Sequence, residues 1–199
     1  MTRGAIILSG GRSTRMGQDK ALMALGNQSL LERVLHQIAP VVEPQHIVIV
    51  ASPDQHLPSL SSEIKILRDA TPHPGPLQAF VQGLAEFEGR ADAVFLTGCD
   101  TPLIVPAVLE FLFAQLGDAD VAVVEESERL HPLLAVYHPR ILAAAREKSA
   151  SQNRSLHGLI ESLHARRIPA ESLRTFDPSL QSLVNINTPE DFRRSQPSD

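Results

Sequence analysis

Residues 8 to 20 read Leu8-Ser9-Gly10-Gly11-Arg12-Ser13-Thr14-Arg15-Met16-Gly17-Gln18-Asp19-Lys20, with three glycines and three cations in thirteen positions. Glycines allow backbone N–H groups to close on a phosphate with no Cβ in the way, and successive N–H groups form a nest for an anion. Arg15 can grip two phosphate oxygens at once, and Lys20 adds a compact charge. The order differs from a Walker A loop, because Gln18 follows Gly17 and Ala21 follows Lys20. It also differs from a dinucleotide fingerprint, since Gly10 and Gly11 are adjacent. The plain alternative is a solvated loop with incidental charges, but the loop follows the first apolar run, where ligands bind in open α/β sheets.

A second candidate is Asp100, directly after the apolar run Ala93–Thr97. One carboxylate at a strand end suits Mg²⁺, which takes one or two carboxylates and fills its shell with phosphate oxygens and water. Asp-Thr-Pro is also a good helix entry, so capping alone could explain it. Its neighbour Cys99 reads as a small buried residue. Gly75-Pro76-Leu77 opens an amphipathic stretch, and either a simple helix start or a helix N-terminus aimed at an anion accounts for it. Near the end of the chain, Thr188, Pro189 and Asp191 form a capping pattern. That pattern leaves Asn185 and Asn187 unexplained, and their spacing on an extended segment places both amides on one side.

The elements that must carry these residues come in two alternating kinds. Ala5–Leu8, Ile47–Ala51, Ile64–Leu67, Ala93–Thr97, Val121–Val124 and Leu133–Tyr137 read as strands. Leu30–Ile38, Leu77–Phe87, Val105–Leu116, Ile141–Lys148 and Leu156–Arg166 read as helices, and Leu183–Ile186 is a final apolar run. This alternation predicts an α/β, Rossmann-like three-layer α/β/α fold with a mostly parallel central sheet. We expect one domain over 1–199, with about 1–105 and about 106–194 as its two halves and 195–199 as a flexible tail. The net charge is −5, with no Trp and one Tyr, which argues against a nucleic-acid or membrane partner held by charge or stacking. A single cysteine excludes an intramolecular disulfide, and the eight histidines show no zinc-ligand spacing. No apolar run approaches the roughly 20 residues of a membrane span, so a cytoplasmic protein is expected.

The run Leu-x-Gly-Gly-x-x-x-Arg-Met-Gly-x-Asp-Lys resembles the signature of the MobA-like family of molybdenum cofactor guanylyltransferases. The resemblance continues in order through Gly75-Pro76-Leu77, Cys99-Asp100-Thr101-Pro102, His131-Pro132-Leu133 and Asn185-Ile186-Asn187-Thr188-Pro189-Glu190-Asp191. It implies nucleotide contacts at Leu8, Ser9, Gly10, Gly11, Lys20, Asp69, Gly75, Asp100, Asn185 and Asn187. It further implies Mg²⁺ on Asp100, catalytic roles for Arg15, Lys20 and Asp100, and an acceptor side that includes His131. A carboxylate at Asp69 suits guanine, because it can accept from a ring N–H and an exocyclic amine together. A turn aspartate would look the same in sequence. Three positions depart from the family pattern: Ser9 where alanine is usual, Ala79 in place of a glycine, and Val50 or Ala51 where some members carry asparagine.

The implied reaction is transfer of GMP from GTP to a molybdopterin-type cofactor with loss of pyrophosphate, by a monomer in transient contact with cofactor-delivery proteins. Another small-molecule or sugar-phosphate nucleotidyltransferase of the same fold, or a GTP-binding regulator without turnover, are the alternatives.

Overall fold

The computed structural model describes residues 1–10, 20–69, 75–151, 154–188 and 190–191. In chain order its elements are β1 (Arg3–Leu8), β2 (Ala24–Leu25), β3 (Gln28–Ser29), α1 (Leu30–Ile38), β4 (Ile47–Ala51), β5 (Lys65–Arg68), α2 (Pro76–Ala85), β6 (Ala93–Gly98), α3 (Pro106–Gln115), β7 (Val121–Glu126), β8 (Arg129–Tyr137), α4 (Leu142–Ala150), α5 (Leu156–Ile160) and β9 (Ala165–Pro169). A seven-stranded sheet runs β5-β4-β1-β6-β8-β7-β9, and β2 with β3 forms a small separate hairpin. Strands β5, β4, β1 and β6 are mutually parallel, and β9 is parallel to β7. Within the seven-stranded sheet β8 runs against its neighbours, pairing antiparallel with both β6 and β7.

Period-two alternation inside the central strands separates two cores. Ala5, Ile7, Ile47, Ile49 and Phe95 face α1 and α3, in a layer with Leu31, Val34, Leu109 and Phe113. Ile6, Leu8, Val48, Val50 and Leu96 face α2, α4 and α5, in a layer with Phe80, Leu84, Leu142 and Leu159. The mostly parallel sheet covered on both faces is therefore present. Each fully buried Val, Leu or Ile contributes roughly 1.5–3 kcal/mol, so the continuous apolar runs of β1, β4 and β6 dominate cohesion. Helix α1 starts at a full capping box: Ser29 Oγ accepts from the Glu32 N–H at 3.3 Å, and the Glu32 carboxylate accepts from the Ser29 N–H at 2.7 Å. The Ser29 N–H and the Ser29 hydroxyl, which also donates to the Glu32 carboxylate at 2.7 Å, hold the Glu32 carboxyl below its ordinary pKa.

Two readings of the sequence change. The helical stretch expected over Leu156–Arg166 is only the short α5, and Ala165 and Arg166 begin strand β9 instead. In β9 only Ile168 is buried; Arg167 pairs with Glu125 at 2.9 Å and Arg166 with Asp118 at 3.6 Å. Cations on an edge strand guard it against pairing with another chain, and they also disguise it in sequence. The apolar run Leu183–Ile186 is not a strand, because a 3₁₀ turn over Gln181–Leu183 leads into extended chain outside the sheet.

Candidate active site

Side-by-side parallel strands bring the carboxyl ends of β5, β4, β1 and β6 to one rim of the sheet. Backbone bonds continue past the strand ends and stitch that rim: Ser9 N–H to Val50 O at 2.9 Å, Asp69 N–H to Ala51 O at 2.9 Å, and Cys99 N–H to Leu8 O at 3.1 Å. Leu8, Ser9, Gly10 and Asp69 thus lie together. A Cβ on Gly10 would stand 2.9 Å from Ser52 Oγ and 3.5 Å from Asp69 Oδ2, so the first glycine of the loop closes on the ends of β4 and β5. Asp69 is buried there.

A bridge across the rim comes from Gln55, which is buried. Its Nε2 donates to Ser9 O at 3.0 Å, and its Oε1 accepts from the Ser52 N–H at 3.2 Å. Arg68 donates to Ser52 O at 3.0 Å and to Gln55 O at 2.6 Å. The Gln55 bond to Ser9 spans 46 residues, which is why sequence reasoning missed it. The hydroxyl of Ser9, where the family usually has alanine, is buried without a hydrogen-bond partner among the described residues. Gly11 and Arg15 lie outside the described residues, as does Pro189; Lys20 begins a 3₁₀ turn over Lys20–Leu22, and its side chain is likewise outside them.

Asp100 follows β6 on a tightly determined turn. The Thr101 hydroxyl donates to Gly98 O at 2.9 Å and lies 2.7 Å from the Thr97 hydroxyl. A Cβ on Gly98 would stand 2.5 Å from Asp100 Oδ1, so the carboxylate occupies space that only glycine leaves empty. On its far side, Asp100 O accepts from the Ile186 N–H at 2.7 Å, joining the turn to the segment that carries Asn185 and Asn187. Although this segment is no strand, the expected alternation holds: Ile186 is buried, and both asparagines are exposed. The capping pattern is present as well. Thr188 Oγ1 accepts from the Asp191 N–H at 3.1 Å, while Asp191 Oδ2 accepts from the N–H groups of Asn187 and Thr188.

Gly75 is the N-cap of α2 at φ +94°, a conformation that explains glycine at this position. Pro76, the next residue, lines a cavity of about 280 Å³ together with Thr101, so the cavity opens beside the Asp100 turn. Its other walls are the first half of β8, the entry to α5 and the segment Ser182–Asn185. Arg129, His131, Arg154 and His157 line it, and no carboxylate does among the described residues. Arg129, Arg154 and His157 are absent from the sequence-based candidates, because nothing in the residues around them sets them apart.

A bulge aims His131 at this cavity. Val123 pairs with Ala135 and the next residue, Val124, pairs with His131, so Pro132–Leu134 loop out of the ladder. Proline has no N–H to lose there. The Tyr137 hydroxyl donates to Pro132 O at 2.9 Å and closes the bulge from the buried side. Burial raises the Tyr137 pKa, keeping the hydroxyl a donor. His131 is held below its ordinary pKa chiefly by burial, with Arg129 acting in the same direction and Glu126, 3.4 Å away, opposing. Burial thus disfavours the charged imidazole, and Arg129 and Arg154 give the cavity its positive character.

Strand ends converging on one rim, with a carboxylate turn and an arginine-lined cavity beside it, suit an enzyme that moves a phosphorylated group. Residues 5–168 match the MobA-like NTP transferase domain. A probable molybdenum cofactor guanylyltransferase from Chloroflexus aggregans is 34% identical, with 98% of this chain and 94% of the relative covered. Another, from Methanosarcina mazei, is 32% identical over 96% of this chain and 88% of its own length. Molybdopterin-guanine dinucleotide biosynthesis protein A from Archaeoglobus fulgidus superposes with a TM-score of 0.77 at 25% identity, covering 97% of this chain and 96% of that one. A 4-diphosphocytidyl-2C-methyl-D-erythritol synthase from Anaerococcus prevotii shares the fold at TM-score 0.73 and 15% identity. The chain belongs to the MobA-like NTP transferase family.

Proposed function

We propose that this enzyme transfers GMP from GTP to the phosphate of a molybdopterin-type acceptor and releases pyrophosphate, forming the guanine dinucleotide. The observation that carries this reading is the cavity beside Asp100, lined by Arg129 and Arg154 and by no carboxylate among the described residues. Such a pocket favours an anionic acceptor next to the transfer site. On this reading the nucleotide sits over Leu8, Ser9, Gly10 and Gly11, and Asp69 accepts from the guanine edge. Gly75 lets α2 approach it closely, and Asn185 and Asn187 border the transfer site from the acceptor side.

An acceptor phosphate oxygen forms a bond to the α-phosphorus, the bond from that phosphorus to the bridging oxygen breaks, and pyrophosphate leaves with the electron pair. A phosphate monoester is already an anionic nucleophile, so the chain needs no general base. What it must supply is position and cancellation of charge. Arg15, Lys20 and the loop N–H groups stabilise the leaving pyrophosphate. Asp100 would hold the metal: its single carboxylate stands just after β6 on a turn fixed by the Thr101 hydroxyl and the Ile186 N–H. One carboxylate suits Mg²⁺, a hard cation that takes one or two protein carboxylates. When bound, Mg²⁺ supplies charge neutralisation at the transferring phosphoryl group.

Pyrophosphate release measured with each of the four nucleoside triphosphates, with Mg²⁺ and with or without the acceptor, tests the reading. Release that needs both GTP and the acceptor supports it. Release with a sugar phosphate instead would assign a different nucleotidyltransferase, and tight GTP binding without turnover would mark a regulator.

A further inference from the structure

Of the described residues, two aspartates are buried: Asp69 on the nucleotide rim, and Asp177, which has no place in the chemistry so far. The Asp177 carboxylate is wholly engaged with one turn. Its Oδ1 accepts from the Gln181 N–H at 3.0 Å and its Oδ2 from the Ser182 N–H at 2.8 Å. Between Asp177 and Gln181 the chain passes through Leu180 at φ +53°, a left-handed conformation uncommon for leucine, so the turn needs an outside restraint to persist. Two backbone N–H groups on one carboxylate are such a restraint.

The turn transmits this restraint to the loop that carries Asp100. Ser182 is also buried, and its hydroxyl accepts from the Val105 N–H at 3.1 Å, across 77 residues. Val105 is the N-cap residue of α3, whose N-terminus has no side-chain cap of its own. Four residues after Ser182, the Ile186 N–H donates to Asp100 O at 2.7 Å. Ile186 also packs in a small cluster with Met23, Leu30 and Leu103, the last of these from the same loop. The loop from Asp100 to Val105 is therefore fastened at both ends by one short segment, and Asp177 sets that segment's shape.

We propose that Asp177 is a positioning residue for the transfer site: through Ser182 and Ile186 it fixes where the Asp100 turn stands relative to the neighbouring cavity. This role rests on the reading of Asp100 given above. It requires no contact between Asp177 and any substrate.

The test uses Asp177→Asn, which keeps the shape but can no longer accept from both N–H groups, together with Ser182→Ala and Ser182→Thr. In the metal-free protein, amide hydrogen exchange at Val105 and Ile186 is expected to speed up about 10-fold or more in Asp177→Asn, with exchange in β1 and β4 unchanged. Ser182→Ala is expected to do the same at Val105, and Ser182→Thr, which retains the hydroxyl, to restore wild-type exchange. In turnover assays the Mg²⁺ concentration for half-maximal rate rises about 10-fold in Asp177→Asn and Ser182→Ala, the scale seen when partners that orient a ligand are removed. The KM for GTP stays within about twofold, because the nucleotide rim is braced separately by Gln55 and Arg68. Variants that melt earlier yet keep wild-type exchange at Val105 and Ile186 and wild-type Mg²⁺ dependence would overturn the proposal, leaving Asp177 a purely structural residue. If Asp177→Asn does not fold, the Ser182 pair decides on the same readouts. A wild-type chain without turnover would refute the transfer reading itself, whereas wild-type turnover with unaltered variants refutes this proposal alone.

Discussion

Gly98→Ala isolates the placement of Asp100 from its chemistry. A Cβ at position 98 would lie 2.5 Å from Asp100 Oδ1, and the next contacts, Asp100 Cγ and Leu133 Cδ1, are at an ordinary 3.6 Å. Ordinary contact begins near 3.4 Å, so the carboxylate oxygen must retreat by about 0.9 Å while nothing else is forced to move. A misplacement of about 1 Å at a reacting centre costs on the order of 100-fold in rate, or about 2.7 kcal/mol of transition-state stabilisation. Fold stability changes by much less, because the methyl enters space that the carboxylate vacates. The assay pairs Mg²⁺-dependent pyrophosphate release with a thermal melt on the same preparation. A rate within twofold of wild type, with the fold intact, would refute the claim that this turn aims a catalytic carboxylate.

Three further outcomes follow from the structure. Lys20→Ala is expected to lose roughly 2–4 kcal/mol of transition-state stabilisation, the scale of removing one preorganised donor, read as kcat/KM with GTP. Tyr137→Phe leaves the buried carbonyl of Pro132 without its donor and costs about 1–3 kcal/mol in a denaturant melt, with a rise in the KM for the acceptor as the bulge loosens. The pH dependence of stability carries a definite sign. Burial keeps His131 below its ordinary pKa of 6.5 in the folded chain, so as the pH falls through that value the unfolded state takes up a proton that the folded state refuses. Stability due to this residue is complete above about pH 6.5 and declines below it, toward the folded pKa. A His131→Gln variant flattens this part of the curve, measured as the urea midpoint at about pH 8 against about pH 5.5. His138, also held low by burial and by Arg140, remains in both proteins and sets the residual slope.

How much of this was legible beforehand depends on whether a residue's partner is near it in the chain. The runs Ala5–Leu8, Ile47–Ala51 and Ala93–Thr97 announce themselves, since strands buried on both faces must be continuously apolar. Asp100 and Gly75 are visible for the same local reason, one ending a strand and the other opening a helix. Strand β9 is hidden because three of its five residues are Ala165, Arg166 and Arg167, polar or small at an edge. The reversal of β8 is hidden because its hairpin turns on Ser127 and Glu128 at positive φ, where glycine or asparagine is the usual sign. Gln55, Ser182 and Asp177 hold the site through side chain to backbone bonds, and nothing in the residues around them signals that use. The cationic cavity is similar: Arg129 and Arg154 stand 25 positions apart and meet only after β8 and α5 pack.

The central claim is that the α-phosphate of GTP ends on the acceptor. The most direct measurement follows label from GTP carrying ³²P at the α position, and separately at the γ position, into the product made with Mg²⁺ and the molybdopterin-type acceptor, with α-labelled CTP as a parallel. Label entering the product from α-GTP, none from γ-GTP and far less from α-CTP is the predicted result. Label that stays with free nucleotide under all three conditions, or that reaches the acceptor from the γ position, would contradict it.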